Sequence, residues 1–242
     1  FEKTEPLSKT YFKPLISARE FLHNKKRWCL WLKNASPNQL AKCKSIVSLI
    51  NDVKQIRENS SRPHLAEIPS LFAQITQAEN VNFLLIPRHT SENRNYIPIG
   101  FFNKNNIAHD SCLIIPGAEI FHFGILMSKM HMTWVKYTCG RLESRFRYSK
   151  DIVYNNYPWP KEVSEENTNN IEEKAQKILD VRAEFTDSSL ADLYNPLTMP
   201  PKLTKAHNEL DKAVDKCYRS QAFKNDASRI EYLFGLYKEY TV

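Results

Sequence analysis

A run of alternating charged and aromatic residues, Gly-Arg-Leu-Glu-Ser-Arg-Phe-Arg-Tyr-Ser at residues 140–149, is the most informative stretch of the sequence. If residues 143–148 form an extended strand, successive side chains point to opposite faces. One face then carries an acid and two bases, while the other can pack against a core. These sets are Glu143, Arg145 and Arg147 on the first face, and Ser144, Phe146 and Tyr148 on the second.

An acid and two arginines in this arrangement suit the major groove of DNA. Arginine can donate two N–H groups to guanine O6 and N7, and a carboxylate accepts from the cytosine amino group. Glu143 and Arg145 can thus read both bases of one C·G pair, with about 1–3 kcal/mol of discrimination per contact. The alternative is a surface charge ladder, or an ion pair worth ~0–1 kcal/mol. The residues alone favour this alternative, because such ladders are common on exposed strands.

Other basic residues can contact phosphate groups, which position a protein on DNA without reading its sequence. We predict this role for Arg88, Arg94, Lys104, Arg141 and Lys150, and note Lys129 and Lys136 nearby. For each residue taken singly, a solvated surface position is the simpler explanation.

The charge distribution also indicates a polyanionic partner. Residues 1–160 carry 22 Lys and Arg against 12 Asp and Glu, whereas residues 161–242 carry 12 against 15. A basic region of this size is typical of nucleic-acid binding, although a basic surface without a partner explains the charge equally well.

The sequence does not indicate a nucleotide-binding loop, a metal site, a membrane span or a secreted protein. The chain has only 5 glycines and neither GxGxxG nor GxxxxGK[ST], so no dinucleotide fingerprint or P-loop is present. HExxH is missing, and the 5 cysteines form no CxxC pair, so we expect reduced thiols and no metal site. No apolar run approaches the ~20 residues of a membrane span, so we expect no membrane partner. Without a signal-peptide pattern at Phe1, we expect a cytoplasmic protein and a piece of a longer chain.

The apolar periodicity predicts an α+β fold with two domains. Residues 1–160 read as a mixed α/β domain and residues 161–242 as a small all-helical domain, after Tyr-Pro-Trp-Pro at 157–160. The predicted strands are 27–32 (buried), 81–87, 96–102, 112–116, 143–148 and 152–156, and the predicted helices are 36–57 and 124–139. Gly140 is expected in the left-handed conformation after the second helix. Three further helices follow, with apolar stripes over 171–185, 203–217 and 230–237; the last is expected to be capped by Asp226.

The long block His-Met-Thr-Trp-Val-Lys-Tyr-Thr-Cys at 131–139, continued by 140–149 and by Ile-Val-Tyr-Asn-Asn-Tyr-Pro-Trp-Pro at 152–160, resembles the target recognition domain of MmeI-like restriction–modification enzymes. Further stretches agree, at 27–32, 86–88, 96–100 and 121–126. Residues 194–201 and 206–218 resemble the C-terminal helical domain of the same family.

This resemblance implies a function. Family members join an endonuclease, an adenine-N6 methyltransferase that uses S-adenosylmethionine, a recognition domain and a helical C-terminal domain. It implies that Glu143 and Arg145 set one base pair, with the Glu and Arg combination associated with C·G, and that Arg147 sets another. The expected partners are double-stranded DNA and an upstream methyltransferase domain. S-adenosylmethionine, and Mg²⁺ if a nuclease is present, would belong to upstream domains, and no catalytic residue is expected here.

Two other functions stay open. The chain can be an interaction module that packs on the upstream methyltransferase domain and contacts DNA little, which its acidic helical tail would suit. It can also be an independent enzyme. Asn-Pro-Leu-Thr at 195–198 lacks the second proline and the aromatic residue of the amino-methyltransferase loop, so we interpret it as a turn that enters a helix.

Overall fold

The computed structural model describes residues 5–241 and has an α+β fold, as predicted. Within this range the strands are β1 (Phe12–Ile16), β2 (Trp28–Leu30), β3 (Phe83–Pro87), β4 (His89–Thr90), β5 (Gly100–Phe102), β6 (Ile107–Ala108), β7 (Cys112–Pro116), β8 (Gly140–Leu142) and β9 (Arg145–Arg147). The α-helices are α1 (Ala18–Leu22), α2 (Pro37–Leu40), α3 (Lys44–Glu58), α4 (Ile120–Leu126), α5 (Lys129–Thr138), α6 (Glu165–Ala183), α7 (Leu190–Leu193), α8 (Pro201–Tyr218) and α9 (Asp226–Thr241). Short 3₁₀ helices occupy Pro6–Tyr11 and Pro63–Glu67.

The chain divides into two compact units. The first contains residues 5–15, 26–79 and 105–107, and the second contains 16–25, 80–104 and 108–241. The predicted boundary at residues 160 and 161 lies inside the second unit, and as a division into domains it stays a prediction.

In the first unit, β1 pairs antiparallel with β2, and a small core forms around Cys43 and Ile46. The single helix predicted over 36–57 is wrong, because the chain breaks between α2 and α3 where Cys43 turns into the core. The predicted buried strand is also wrong in its burial, since Trp28 in β2 is 57% exposed.

In the second unit, β3 is the central strand of an antiparallel sheet with the order β5-β3-β7. All five of its residues are buried, and they lie within the apolar strand predicted over 81–87. Phe83 and Leu85 face a small cluster with Phe21, while Leu84 and Ile86 enter the main core. The residues before β5, Tyr96 to Ile99, are mostly buried but lie outside any strand, so the strand predicted over 96–102 is shorter.

The helix predicted over 124–139 is two helices, α4 and α5. The Ser128 hydroxyl accepts a hydrogen bond from the His131 N–H and donates to the Ile125 carbonyl, so it closes one helix and starts the next. Gly140 does not adopt the predicted left-handed conformation. The chain leaves α5 in extended conformation at Cys139, and Gly140 begins β8.

The strand predicted over 152–156 is also wrong. Residues Lys150–Tyr154 form one turn of π-helix that is capped by Ser149, whose hydroxyl accepts from the Ile152 N–H at 3.1 Å. The Trp134 indole N–H donates to the Val153 carbonyl at 3.0 Å and holds this turn against α5.

The three predicted C-terminal helices correspond to α6, α8 and α9. They share one continuous core with β3, α4 and α5. Gly124 in α4 lets α6 approach closely, since a Cβ there would lie 2.6 Å from Ile171 Cγ2. Asp226 is the first residue of α9 but not its cap, because the Asn225 side chain accepts from the Ser228 N–H at 2.9 Å. Between residues 5 and 241, no helix has both the length and the apolar character needed to cross a membrane.

Candidate nucleic-acid interface

The charged run at 140–149 forms a β-hairpin. Gly140 pairs with Arg147 and Leu142 with Arg145, so Glu143 and Ser144 form a two-residue turn between β8 and β9. Glu143 has a φ of 56°, in the left-handed region that such turns require. The prediction that Glu143 belongs to the extended strand is therefore wrong, because hairpin pairing bends the chain before Arg145.

The rest of the predicted alternation is present in β9. Arg145 and Arg147 are exposed, while Phe146 between them is 2% exposed and Tyr148 is 1% exposed. The two aromatic side chains fix the strand to the core, and the two guanidinium groups point outward from the same face.

Glu143 reaches Arg145 from the turn. The carboxylate Oε2 lies 2.6 Å from Arg145 Nη2, and both side chains are largely exposed, at 76% and 49%. An exposed pair of this kind contributes at most about 1 kcal/mol. Both charges are therefore presented together at the tip of the hairpin, and a ligand can replace the contact between them at little cost.

A buried hydrogen-bond chain fixes the base of β9. The Tyr148 hydroxyl donates to His131 Nε2 at 3.0 Å, and His131 Nδ1 donates to the Leu126 carbonyl at 2.8 Å. Burial lowers the pKa of His131 to about 4, so the ring is neutral and holds one tautomer. This chain ties the exposed strand to α4 and α5 and gives it a rigid support.

β4 lies on the other side of β9 and adds a histidine to the exposed face. His89 pairs with Arg147, and Thr90 pairs with Phe146, in a sheet with the order β4-β9-β8. Partial burial and then the positive charges of Arg147, Arg145 and Arg88 lower the pKa of His89. The face is thus electropositive around β9. His89 was not predicted to belong to this face, since only the pairing of distant strands places it there.

Of the residues predicted to contact phosphates, Arg141, Arg88 and Arg94 lie around this sheet. The Arg141 guanidinium lies 4.0 Å from the Phe146 ring centroid and donates to the Ser144 carbonyl at 3.1 Å. Arg88 Nε donates to the Asp110 carbonyl at 2.6 Å. Arg94 donates to the Thr90 hydroxyl at 3.1 Å, so it also supports the loop after β4.

The remaining lysines differ in position. Lys150 is exposed just after β9, with Nζ 3.5 Å from Asp151 Oδ1. Lys104 follows β5 at the Phe83 end of β3, whereas β4 follows the Pro87 end, so the structure does not bring Lys104 to the hairpin. Lys136 pairs with Asp226 at 3.2 Å. Within the described part of the chain, no three His, Cys, Asp or Glu side chains converge to hold a metal ion.

Comparison with known families matches residues 1–161 to the MmeI target recognition domain and residues 163–242 to the MmeI C-terminal domain. DNA methyltransferase A of Bacillus subtilis (strain 168) is 41% identical over 234 residues, which cover 96% of this chain and 26% of that protein. A solved structure of the type IIL restriction–modification enzyme MmeI in complex with DNA is 41% identical, with a TM-score of 0.94, and the match covers 100% of this chain and 32% of that one. The chain thus spans about a quarter to a third of the length of these relatives.

Proposed function

Since the chain belongs to the MmeI family, through both the target recognition domain and the C-terminal domain, we propose that it is the part of a restriction–modification DNA methyltransferase that recognises the target sequence. The observation that carries this proposal is the β8–β9 hairpin. It presents Arg145 and Arg147 to solvent on a strand whose other face is buried, and Glu143 beside them in the turn.

The two-stranded form and the charged side chains of the hairpin suit the major groove. The groove is about 12 Å wide and admits a two-stranded ribbon. In our proposal Arg145 donates to guanine O6 and N7 while Glu143 accepts from the paired cytosine amino group. Arg147, two residues further along the same face, then reads another base pair. The exposed contact between Glu143 and Arg145 opens as the bases replace it.

The basic residues around the sheet would contact the phosphate backbone. Arg88 and Arg141 flank β9, and Lys150 follows it, which is the distribution expected of groups that set the register of the hairpin in the groove. Arg94 and Lys104 remain proposed phosphate contacts, with Lys104 serving only if DNA extends past the sheet.

In this proposal the catalytic steps take place in other domains of the polypeptide. Methyl transfer to adenine N6, with S-adenosylmethionine as the methyl donor, would take place in a methyltransferase domain that this chain serves. Mg²⁺ would be needed only by a nuclease domain. A DNA substrate and the free thiols of all five cysteines fit a protein of the cytoplasm.

Binding-site selection from a pool of randomised duplexes tests the proposal. Reversing both charges, with Glu143→Lys and Arg145→Asp, should change the preferred base pair at one position of the site and leave the other positions unchanged. The matched control reverses the exposed pair between Glu184, just after α6, and Lys202 of α8, with Glu184→Lys and Lys202→Glu. This control variant should select the same DNA sequence as the wild type. An unchanged preference in the hairpin variant would overturn the assignment.

A salt titration separates recognition from simple docking on another domain. Several phosphate contacts predict that the logarithm of the binding constant falls steeply and linearly with the logarithm of salt concentration. A docking module would bind every duplex weakly and without sequence preference.

A further inference from the structure

Arg147 has a paired residue on each of the two strands that flank β9. Gly140 of β8 pairs with it on one side, and His89 of β4 pairs with it on the other. Because glycine has no side chain, His89 supplies the side chain that stands beside Arg147 in this row of the sheet.

The burial of the neighbouring residues shows which face of the sheet His89 occupies. Thr90 and its partner Phe146 are 3% and 2% exposed, so this pair points into the core. Successive side chains of a strand point to opposite faces, so His89 and Arg147 point away from the core. His89 is partly exposed and Arg147 is exposed, as this alternation requires. The histidine thus lies on the face that presents Arg145 and Arg147.

The hydrogen bonds between β4 and β9 place these two side chains close together. The Tyr148 N–H donates to the Arg88 carbonyl at 2.7 Å, so a bond between the strands lies one pair before His89 and Arg147. Hydrogen-bonded and non-hydrogen-bonded pairs alternate along an antiparallel ladder, so His89 and Arg147 form a non-hydrogen-bonded pair. The Cα atoms of such a pair lie about 4.5 Å apart, and its side chains are closer than those of the other kind. One base pair can therefore contact both side chains.

The two side chains offer complementary hydrogen-bonding groups. A guanidinium carries donors only, whereas a neutral imidazole has one donor nitrogen and one acceptor nitrogen. In the major groove a G·C pair presents guanine N7 and O6 as acceptors and the cytosine amino group as a donor. Arg147 can donate to the guanine, and the acceptor nitrogen of His89 can accept from the cytosine. Glu143 has the corresponding role beside Arg145.

The surroundings of His89 favour the neutral ring that this contact needs. Partial burial lowers the pKa of His89, and the positive charges of Arg147, Arg145 and Arg88 lower it further. Two of these arginines belong to β9, and the third precedes His89 in the chain. An acceptor nitrogen is therefore available at neutral pH.

We propose that His89 is a further base-reading residue, which accepts a hydrogen bond from the cytosine of a G·C pair whose guanine is read by Arg147. This role rests on the proposed function and extends the reading surface from the hairpin to β4. The sheet then reads two base pairs, each with one arginine and one acceptor.

Selection of preferred duplexes by the 242-residue chain tests this role. Arg147→Ala first identifies the base pair that Arg147 reads, as the position at which the preference is lost. His89→Ala should lower the preference for G·C at that same position by about fivefold, in the lower part of the range expected for one base contact. The preference at the base pair read by Glu143 and Arg145 should stay as in the wild type, which also shows that the hairpin is folded.

Two further variants separate the acceptor nitrogen from the shape of the ring. His89→Asn keeps a neutral acceptor and should retain part of the preference for G·C. His89→Phe keeps an aromatic ring without an acceptor and should behave like His89→Ala. The matched control is His23→Ala, which removes an exposed histidine at the end of α1 and should select the same DNA sequence as the wild type.

The pH dependence of the selection gives a second readout. As the pH falls and His89 takes up a proton, the acceptor is lost, so the wild-type preference for G·C at this position should decline. His89→Asn should show no such decline, because the amide does not titrate. A contact of His89 with a phosphate group would give the opposite sign, because a protonated ring binds the backbone of every duplex more tightly. That result would overturn the base-reading role.

Other outcomes also contradict the role of His89. A selective wild type whose preference at the Arg147 position is unchanged in His89→Ala, or is for a pair other than G·C, would overturn this role alone. If Arg147→Ala alters no position, His89 has no base pair to share and the role fails, while base reading by Glu143 and Arg145 keeps its own test. A wild-type chain that selects no sequence would refute the proposed function and the role of His89 with it.

Discussion

Two arginine–carboxylate pairs of the second unit have the same N–O distance but differ in their exposure to solvent. Arg145 lies 2.6 Å from Glu143 at the hairpin tip, where the side chains are 49% and 76% exposed. Arg229 lies 2.6 Å from Asp215 between α9 and α8, where they are 13% and 14% exposed. Water already solvates the first pair, so DNA can replace its contact cheaply. The second pair is largely desolvated, so each charge is stabilised mainly by its partner and not by water.

The comparison shows that distance alone does not separate a functional pair from a structural one. The buried residues beneath the hairpin, which we call the scaffold, hold β9 in place. The exposed charges of Glu143 and Arg145 can instead exchange their contact with each other for a contact with a ligand.

Removing Arg229 should destabilise the protein most. Arg229→Ala leaves the largely buried Asp215 carboxylate without its bidentate partner, and we expect the free energy of unfolding to fall by about 3 kcal/mol. Urea unfolding followed by circular dichroism measures this. Lys216→Ala, an exposed cation on α8, is the control and should change stability by less than about 0.5 kcal/mol. A small effect of Arg229→Ala would show that this pair is as replaceable as the exposed one.

Acid should lower the stability of the core that supports the hairpin. His131 is neutral in the folded protein because burial lowers its pKa from 6.5 to about 4. The unfolded chain takes up a proton as the pH falls from 6.5, but the folded protein does not. The stability from this group is therefore complete above pH 6.5 and is lost towards pH 4, by about 3 kcal/mol. His207, whose pKa burial also lowers, adds to the same slope.

Urea unfolding at several pH values between 7 and 4 measures this slope. His131→Gln should flatten it, because glutamine does not titrate. A slope that His131→Gln does not alter would mean that His131 takes up a proton over the same pH range in the folded protein as in the unfolded chain.

The scaffold was largely predictable from the sequence, because its elements follow regular patterns. The continuous apolar run of β3 and the stripes of α6, α8 and α9 each describe one buried surface, and periodicity detects such surfaces. The errors fall where a single hydrogen bond ends an element. Ser128 divides a predicted helix, and Asn225 rather than Asp226 caps α9.

The candidate interface was predictable only in part. The alternation of Arg145, Phe146 and Arg147 follows from the two-residue period of a strand. The position of Glu143 in a turn does not, because it depends on the pairing of β8 with β9. His89 reaches the hairpin through the pairing of β4 with β9, which joins segments far apart in the chain and leaves no local pattern.

Two glycine substitutions compare the packing between α4 and α6 with the packing of the hairpin. Gly124→Ala places a methyl group 2.6 Å from Ile171 Cγ2 and 3.2 Å from Ala175 Cβ, so α4 and α6 must move apart. We expect a loss of about 1–3 kcal/mol in stability. With Gly140→Ala in β8, the atom nearest to the new Cβ is the Arg147 carbonyl oxygen, at 4.0 Å. This substitution should hardly change the stability. Thermal unfolding of both variants measures the difference, and equal losses would contradict the idea that the hairpin is open to change.

The smallest effect on stability is expected for the exposed pair itself. Truncating both side chains, with Glu143→Ala and Arg145→Ala, should change the free energy of unfolding by less than about 1 kcal/mol, because solvent already screens the pair. A double-mutant cycle with the two single variants measures the coupling energy, which should be close to zero in the free protein. If the same four proteins are compared on the preferred duplex, the coupling should become large, because both side chains then contact one base pair. A strong coupling without DNA would mean that the pair holds the hairpin together, and its role in the fold would then resemble that of Asp215 and Arg229.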